Sequence, residues 1–231
     1  DRLVELNKNI NWKPESTGTG RFGNWLENLV DWNLSRSRYW GTPLPIWRND
    51  YGDEVCIGSI EELKDLLEEA IVSGHLTREQ ALHNSDYLQK LEHGDYDLHR
   101  PYVDDVVLVG KTGHIMHREP DQIDVWFDSG EMPYAQWHYP FENQEIFNQA
   151  YPADFISEGV DQTRGWFFTL HAIAGMLFDS VAFKNVVSTG LVLDKNGNKM
   201  SKRLGNAVDP FATLAQYGPD ATRWYMITNA E

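Results

Sequence analysis

The chain has 231 residues, with 20 Lys and Arg against 35 Asp and Glu, a net charge of −15, 41% hydrophobic residues, and 9 Trp, 10 Tyr and 10 Phe. That apolar and aromatic content excludes a disordered chain, and the acidic balance excludes general attraction to phosphate backbones or anionic lipid, so any nucleic-acid contact must be local. No apolar run approaches the ~18 residues of a membrane span, the opening Asp1-Arg2-Leu3-Val4-Glu5 has no signal-peptide core, and the single cysteine, Cys56, excludes an internal disulfide framework and fits a reducing cytosol.

In chain order, the polar stretch to Gly23 reads as irregular chain leading into a short helix from Asn24 to Val30. With no methionine start and no targeting segment, the chain is expected to be an excised piece of something longer. After Trp47, Ser59-Ile60-Glu61-Glu62 is a capping box followed by Leu63, Leu66, Leu67, Ala70 and Ile71 at helical spacing, closed by Gly74. Thr77-Arg78-Glu79-Gln80 opens a second amphipathic helix through about Leu91. Together they form a helical insertion at about residues 52–102, whose acidic outer face reads as a solvated surface. Val106 to Val109 and Ile115 to Met116, joined around Lys111-Thr112-Gly113, read as a hairpin returning the chain to the main body, residues 1–51 and 103–231. From Ala150 the pattern is strand (Asp154-Phe155-Ile156), loop (Ser157-Glu158-Gly159), then a helix with Trp166, Phe167, Leu170, Ile173, Ala174, Leu177 and Phe178 at 3.6 spacing. Strands from Asn185 to Ser188 and from Leu191 to Leu193 follow, and the turn pair Asn196-Gly197 lifts Lys199-Met200-Ser201-Lys202-Arg203 onto an exposed loop. Asp209-Pro210 caps a helix from Phe211 to near Gly218, before another that carries Trp224 and Tyr225. The alternation implies an α/β fold with a parallel sheet.

Two ammonium groups three residues apart around a small hydroxyl, just past a tight turn, suit a loop that folds over a triphosphate; a solvated basic turn is the plain alternative. Glu158-Gly159-x-Asp161-Gln162 stands where a strand ends and a helix begins, the place where open α/β sheets bind ligands. Gly159 permits close backbone approach, and Glu158, Asp161 and Gln162 accept from an amine or from ribose hydroxyls; Asp161 fits an N-cap equally well. Trp126 and Trp166 are equally readable as core aromatics. The stretch Ser35 to Trp47 interleaves Arg36, Arg38, Tyr39 and Trp40 with two prolines, and a rigid packed connection is the better reading than contact with a single-stranded acceptor end. His114 and His117, near Asp121 and Asp124, make a poor metal site, because a hairpin does not turn side chains i and i+3 to one face. No metal ligand is assigned and no zinc is expected. His171, one turn beyond Phe167, reads as a satisfied buried histidine.

Lys199-Met200-Ser201-Lys202-Arg203 is the signature loop of the class I aminoacyl-tRNA synthetases with Arg203 in place of the commoner serine. Asp31 to Pro43, Asp124-Val125-Trp126-Phe127-Asp128-Ser129-Gly130 and Ser157 to Trp166 complete four ordered blocks that resemble the isoleucyl branch of that family. The form Glu158-Gly159-x-Asp161-Gln162-x-Arg164-Gly165-Trp166 favours that branch over the valyl and leucyl ones. The resemblance implies the second half of a Rossmann-like nucleotide-binding catalytic domain, at 1–51 and 103–231, carrying the 52–102 insertion. It implies activation of L-isoleucine by ATP with Mg2+, followed by transfer to tRNA(Ile), in the cytoplasm. Lys199, Met200, Ser201 and Lys202 are then expected to bind ATP, with Lys199 and Lys202 catalytic. Glu158, Gly159, Asp161 and Gln162 are expected to hold the aminoacyl-adenylate, and Trp126 and Trp166 to flank the isoleucine side chain. The family's His-x-Gly-His signature is absent, and His114-Ile115-Met116-His117 is not a version of it. The segment by itself is therefore expected to be inactive and to bind tRNA weakly. A catalytically silent ligand-binding fragment and a valyl relative are the alternatives.

Overall fold

Phe183–Thr189 buries Phe183, Val186 and Ser188 and forms the middle of a three-stranded parallel sheet in the computed structural model, which describes residues 1–228. Asn11–Lys13 pairs on one side, with Trp12 opposite Val186. Ala153–Gly159 pairs on the other, from Ala153 opposite Phe183 to Gly159 opposite Thr189. The α/β class with a parallel sheet is thus what the chain adopts. Two units separate by their internal contacts: Asp1–Asp31 with Ser129–Glu231, and Trp32–Asp128.

In the first unit the helix Trp166–Phe178, read from its 3.6 spacing, lays Phe167, Leu170 and Ala174 against Trp12, Phe22, Phe183 and Val186. Trp12 is the hub, with ring centroids 5.0 Å from Phe22 and 5.7 Å from Phe167, and its indole N–H donates to the Asn7 side chain at 2.8 Å. The opening stretch is accordingly ordered, not irregular. It forms a helix at Arg2–Asn7, the strand Asn11–Lys13, a π-helical turn at Thr17–Phe22 and a short helix at Gly23–Glu27. Gly18 lies so close to Trp12 that a Cβ would stand 2.2 Å from an indole carbon, so the turn is set by tertiary packing that the polar sequence does not announce.

Two further expectations change. Ser157, Glu158 and Gly159 are the last three residues of the strand, held opposite Val187, Ser188 and Thr189, and are not a loop. Leu191 to Leu193 makes no third strand: only an isolated bridge joins Leu193 to Lys199, and all three residues stay exposed for want of a neighbouring strand. The helices at Pro210–Tyr217 and Pro219–Thr228 follow, the first capped by Asp209, whose carboxylate accepts from the Phe211 N–H at 2.9 Å.

The second unit is built on a four-stranded antiparallel sheet, ordered Glu54–Cys56, Ile46–Arg48, Ile115–Arg118, Val107–Val109. Of these only the Val107–Val109 and Ile115–Arg118 hairpin was expected. Helices Ile60–Val72 and Arg78–His93 bury Leu63, Leu67, Tyr87 and Leu91 against Trp47, Val106, Leu108 and Met116. The 52–102 helical segment therefore lies inside a unit bounded by residues 32 and 128. Thr77 and Gln80 close a reciprocal capping box. Ser59 accepts from the Glu62 N–H, while the Glu62 carboxylate reaches one residue further back, to the Gly58 N–H at 2.7 Å. Among the described residues no helix is long and apolar enough to cross a membrane.

Candidate functional site

The strand Ala153–Gly159 delivers Glu158 and Gly159 at its C-terminal end, and a single 3-10 turn, Val160–Arg164, carries Asp161 and Gln162 before the helix Trp166–Phe178 begins. Four residues assigned to one ligand thus follow one another through a strand end and a tight turn. Glu158 and Asp161 are exposed, and Gln162 is half-buried. The Gln162 side-chain Oε1 accepts from the Trp166 N–H at 3.1 Å, and its side-chain Nε2 donates to Asp161 at 3.3 Å. Gln162, not Asp161, therefore satisfies the first orphan donor of the helix. Gly159 has an ordinary φ of −64°, but a Cβ there would stand 2.6 Å from the Asp161 carboxylate, so its role is the close approach. Trp166 is half-buried beside the core and donates its indole N–H to the Ser129 carbonyl at 2.9 Å.

The turn is pinned from beneath by a residue with no marker in the sequence. Thr163 is fully buried; its hydroxyl donates to the Val160 carbonyl at 2.7 Å and accepts from Arg21 Nε at 2.9 Å. No pattern around position 163 distinguishes it from a spacer, because its donor lies 142 residues away.

The loop at 194–206 is closed by the expected turn: Gly197, with φ +77°, lets Asp194 and Asn198 pair across it. The Asp194 carboxylate accepts from the N–H groups of Asn196 and Asn198 and from the side chain of Asn206, each at 2.8 to 2.9 Å. Asn206 in turn accepts from the Ser201 N–H at 2.9 Å and donates to the Lys199 carbonyl at 3.3 Å. These bonds, the Asn206 amide foremost, hold the Asp194 carboxyl below the usual carboxylate range. Ser201 caps the short turn Lys202–Leu204, and Met200 offers its sulfur to the Val208 N–H. The backbone is knotted while Lys199 and Lys202 are exposed, and among the described residues neither ammonium has an ion-pair or hydrogen-bond partner. Two unpaired cations on a fixed loop are available to an anion. Asp194 and Asn206 escaped the sequence reading, although an Asp-x-x-Gly turn is a visible local signal.

Trp126 belongs to the other unit, on the helix Val125–Gly130, and is 43% exposed. Just before it, Asp124 is 4% exposed and accepts from Trp32 Nε1 at 2.9 Å and Arg36 Nη2 at 2.6 Å. Asp128 is partly buried, and desolvation pushes its carboxyl up, opposed by a hydrogen bond with Thr42 and reinforced by Asp124. In the stretch Ser35 to Trp47 the packed reading holds at its ends only: Arg36 is taken up by Asp124 and two carbonyls and Trp47 is buried, whereas Tyr39, under Arg100 at 5.1 Å, and Trp40, stacked on His99 at 5.2 Å, stay exposed. His171 is buried, donates from Nε2 to the Leu3 carbonyl at 2.8 Å and has its pKa lowered by desolvation. Among the described residues no group of three or more His, Cys, Asp or Glu side chains is placed to hold a metal ion.

A family description, tRNA synthetases class I (I, L, M and V), matches residues 1–231. The Isoleucine–tRNA ligase of Cytophaga hutchinsonii is 71% identical over 231 residues, covering 100% of this chain and 20% of that protein. The enzyme of the same name from Bacteroides fragilis is 66% identical over 237 residues, 100% of this chain and 21% of its own. That of Thermus thermophilus is 49% identical over 231 residues, again 100% and 20%. The chain spans about a fifth of the length of these relatives. Among solved structures, the Agrobacterium radiobacter K84 LeuRS in ternary complex with tRNA and LeuAMS aligns with a TM-score of 0.53 at 23% identity, over 86% of this chain and 24% of that one, a likeness of fold.

Proposed function

The chain belongs to the class I tRNA synthetase family of the I, L, M and V enzymes, and from that premise we propose that the protein carrying it activates L-isoleucine with ATP and charges tRNA(Ile). Residues 1–51 and 103–231 would be the second half of the catalytic domain, with 52–102 its insertion, and the cytoplasm its place of work. The observation that supports phosphate chemistry here is the 194–206 loop, whose backbone is fixed while Lys199 and Lys202 stay exposed and, among the described residues, unpaired. The choice of amino acid rests on the 71% identity to an Isoleucine–tRNA ligase over the whole chain.

In this reading the isoleucine carboxylate attacks the α-phosphorus of ATP in line, the bond to pyrophosphate breaks, and no covalent enzyme intermediate forms. The compact ammonium groups of Lys199 and Lys202 follow the phosphate oxygens as negative charge gathers on the leaving group. Met200 and Ser201 complete the loop's contact with ATP. Mg2+ would arrive with ATP, held mainly by phosphate oxygens and water, as is usual for this ion. Glu158, Asp161 and Gln162 accept from the ammonium and ribose hydroxyls of the adenylate, Gly159 lets the ligand approach the backbone, and Gln162 also holds Asp161 and caps the helix behind it. Trp126 and Trp166 are each assigned a contact with the isoleucine side chain. Isoleucine-dependent exchange of pyrophosphate into ATP by the intact protein tests the reading. Exchange should depend on isoleucine and prefer it to valine; exchange driven best by valine or leucine, or absent with all three, would refute it.

A further inference from the structure

Asp124, 4% exposed, is the most deeply buried carboxylate of its unit among the described residues, and both of its side-chain oxygens accept hydrogen bonds. Oδ2 takes the indole N–H of Trp32 at 2.9 Å and the guanidinium of Arg36 at 2.6 Å, while Oδ1 takes the backbone N–H of Trp126 at 3.3 Å. Its own N–H donates to the Leu34 carbonyl at 2.7 Å, and its carbonyl accepts from the Phe127 N–H at 2.7 Å. Arg36 spends its second nitrogen on the carbonyls of Asn33 and Ser35. Two strands a long way apart in sequence are thereby locked together, since Ser35 and Arg36 also pair with Ile123 and Gln122. The Trp32 ring, 6.5 Å from Phe127, flanks the same junction.

The consequence falls on Trp126. Asp124 precedes the helix Val125–Gly130, and its side chain and main chain accept from the first two amides after Val125. A charge buried this deeply holds one geometry, because shifting it means stripping or re-forming charge-assisted bonds in a low-dielectric setting. We propose that Asp124, with Arg36 and Trp32 as its donors, is a positioning residue for amino-acid selection, acting by setting the backbone from which the Trp126 indole projects. The inference rests on the reading of Trp126 as an isoleucine side-chain contact. It also gives the Trp32 to Arg36 stretch a role in specificity in place of one in nucleic-acid contact.

The test uses the intact synthetase and three variants, Asp124→Asn, Trp32→Phe and Trp126→Ala, with isoleucine- and valine-dependent pyrophosphate exchange measured for each and ATP KM as the internal reference. Asp124→Asn keeps the shape and removes the charge; Trp32→Phe keeps a ring and removes one donor. Misplacing a contact residue by a fraction of an ångström loosens selection, so Asp124→Asn should raise isoleucine KM and lower the isoleucine-to-valine preference by about tenfold, with Trp32→Phe moving both the same way and less. ATP KM should not move. The inference is overturned if Trp126→Ala changes both readouts while Asp124→Asn leaves them within about twofold, a result that leaves the Trp126 reading standing. It is overturned equally if kcat falls by one factor for both amino acids with the KM values unchanged, the mark of lost active protein. If Trp126→Ala itself moves neither readout, the contact reading fails and takes the inference with it. Should Asp124→Asn fail to fold, Trp32→Phe decides on the same readouts.

Discussion

Replacing Thr163 by Val keeps the shape of a fully buried side chain and removes its hydroxyl, so no cavity complicates the result. Two bonds go at once, the one to the Val160 carbonyl at 2.7 Å and the one from Arg21 Nε at 2.9 Å. Each such bond contributes roughly 0.5–1.5 kcal/mol net, so the loss of the two should total about 1–3 kcal/mol, the half-buried Val160 carbonyl losing more than the exposed Arg21, which can turn to water. The loss is local, because both bonds hold the turn Val160–Arg164 that carries Asp161 and Gln162. Native-state hydrogen exchange of the intact protein is the assay: the first amides of the helix Trp166–Phe178 should exchange roughly 5- to 150-fold faster, the same energy expressed as an opening equilibrium. The affinity for a non-hydrolysable isoleucyl-adenylate analogue should fall with it. Thr163→Ser, which keeps the hydroxyl, should retain both protection and affinity. The reasoning is refuted if Thr163→Val leaves exchange unchanged, or if Ser and Val at this position behave alike.

Lys202→Ala should slow the activation step of the intact enzyme by more than tenfold, about 1.4 kcal/mol, and leave isoleucine binding nearly intact, because charge gathers on the phosphates only as the bond to pyrophosphate breaks. Lys199→Ala in single-turnover activation is the comparison, and a larger loss there would transfer the main role to Lys199. His171 has a folded pKa below its unfolded value, so the fold binds fewer protons than the unfolded chain between the two. Its contribution to stability is complete at neutral pH, declines as pH falls through the unfolded value near ~6.5 and levels off below the folded one. Thermal melts of His171→Gln, which keeps a donor for the Leu3 carbonyl and does not titrate, should lose this acid-side decline; an unchanged pH profile would place the titration elsewhere.

Local chemistry alone determined several parts of this chain. The helix Trp166–Phe178 follows from apolar residues at 3.6 spacing, the helices after Ser59, Thr77 and Asp209 from side chains that cap their own next residues, and the 194–198 turn from a glycine with a positive φ. The four signature blocks were likewise legible, since a motif is a run of neighbours. Tertiary structure decided the rest. A strand of three residues such as Asn11–Lys13 has too few positions to show a period, and it exists because Val186, far along the chain, stands opposite Trp12. Ser157 to Gly159 look like a loop until Val187 to Thr189 lie beside them and pair with their backbone. Thr163 and Asp124 lie within legible blocks, yet the blocks do not announce their roles; these follow from burial beside donors 142 and about 90 residues away. Hydrogen bonds and burial depend on distance in space, and only the folded chain brings such residues within 3 Å of one another.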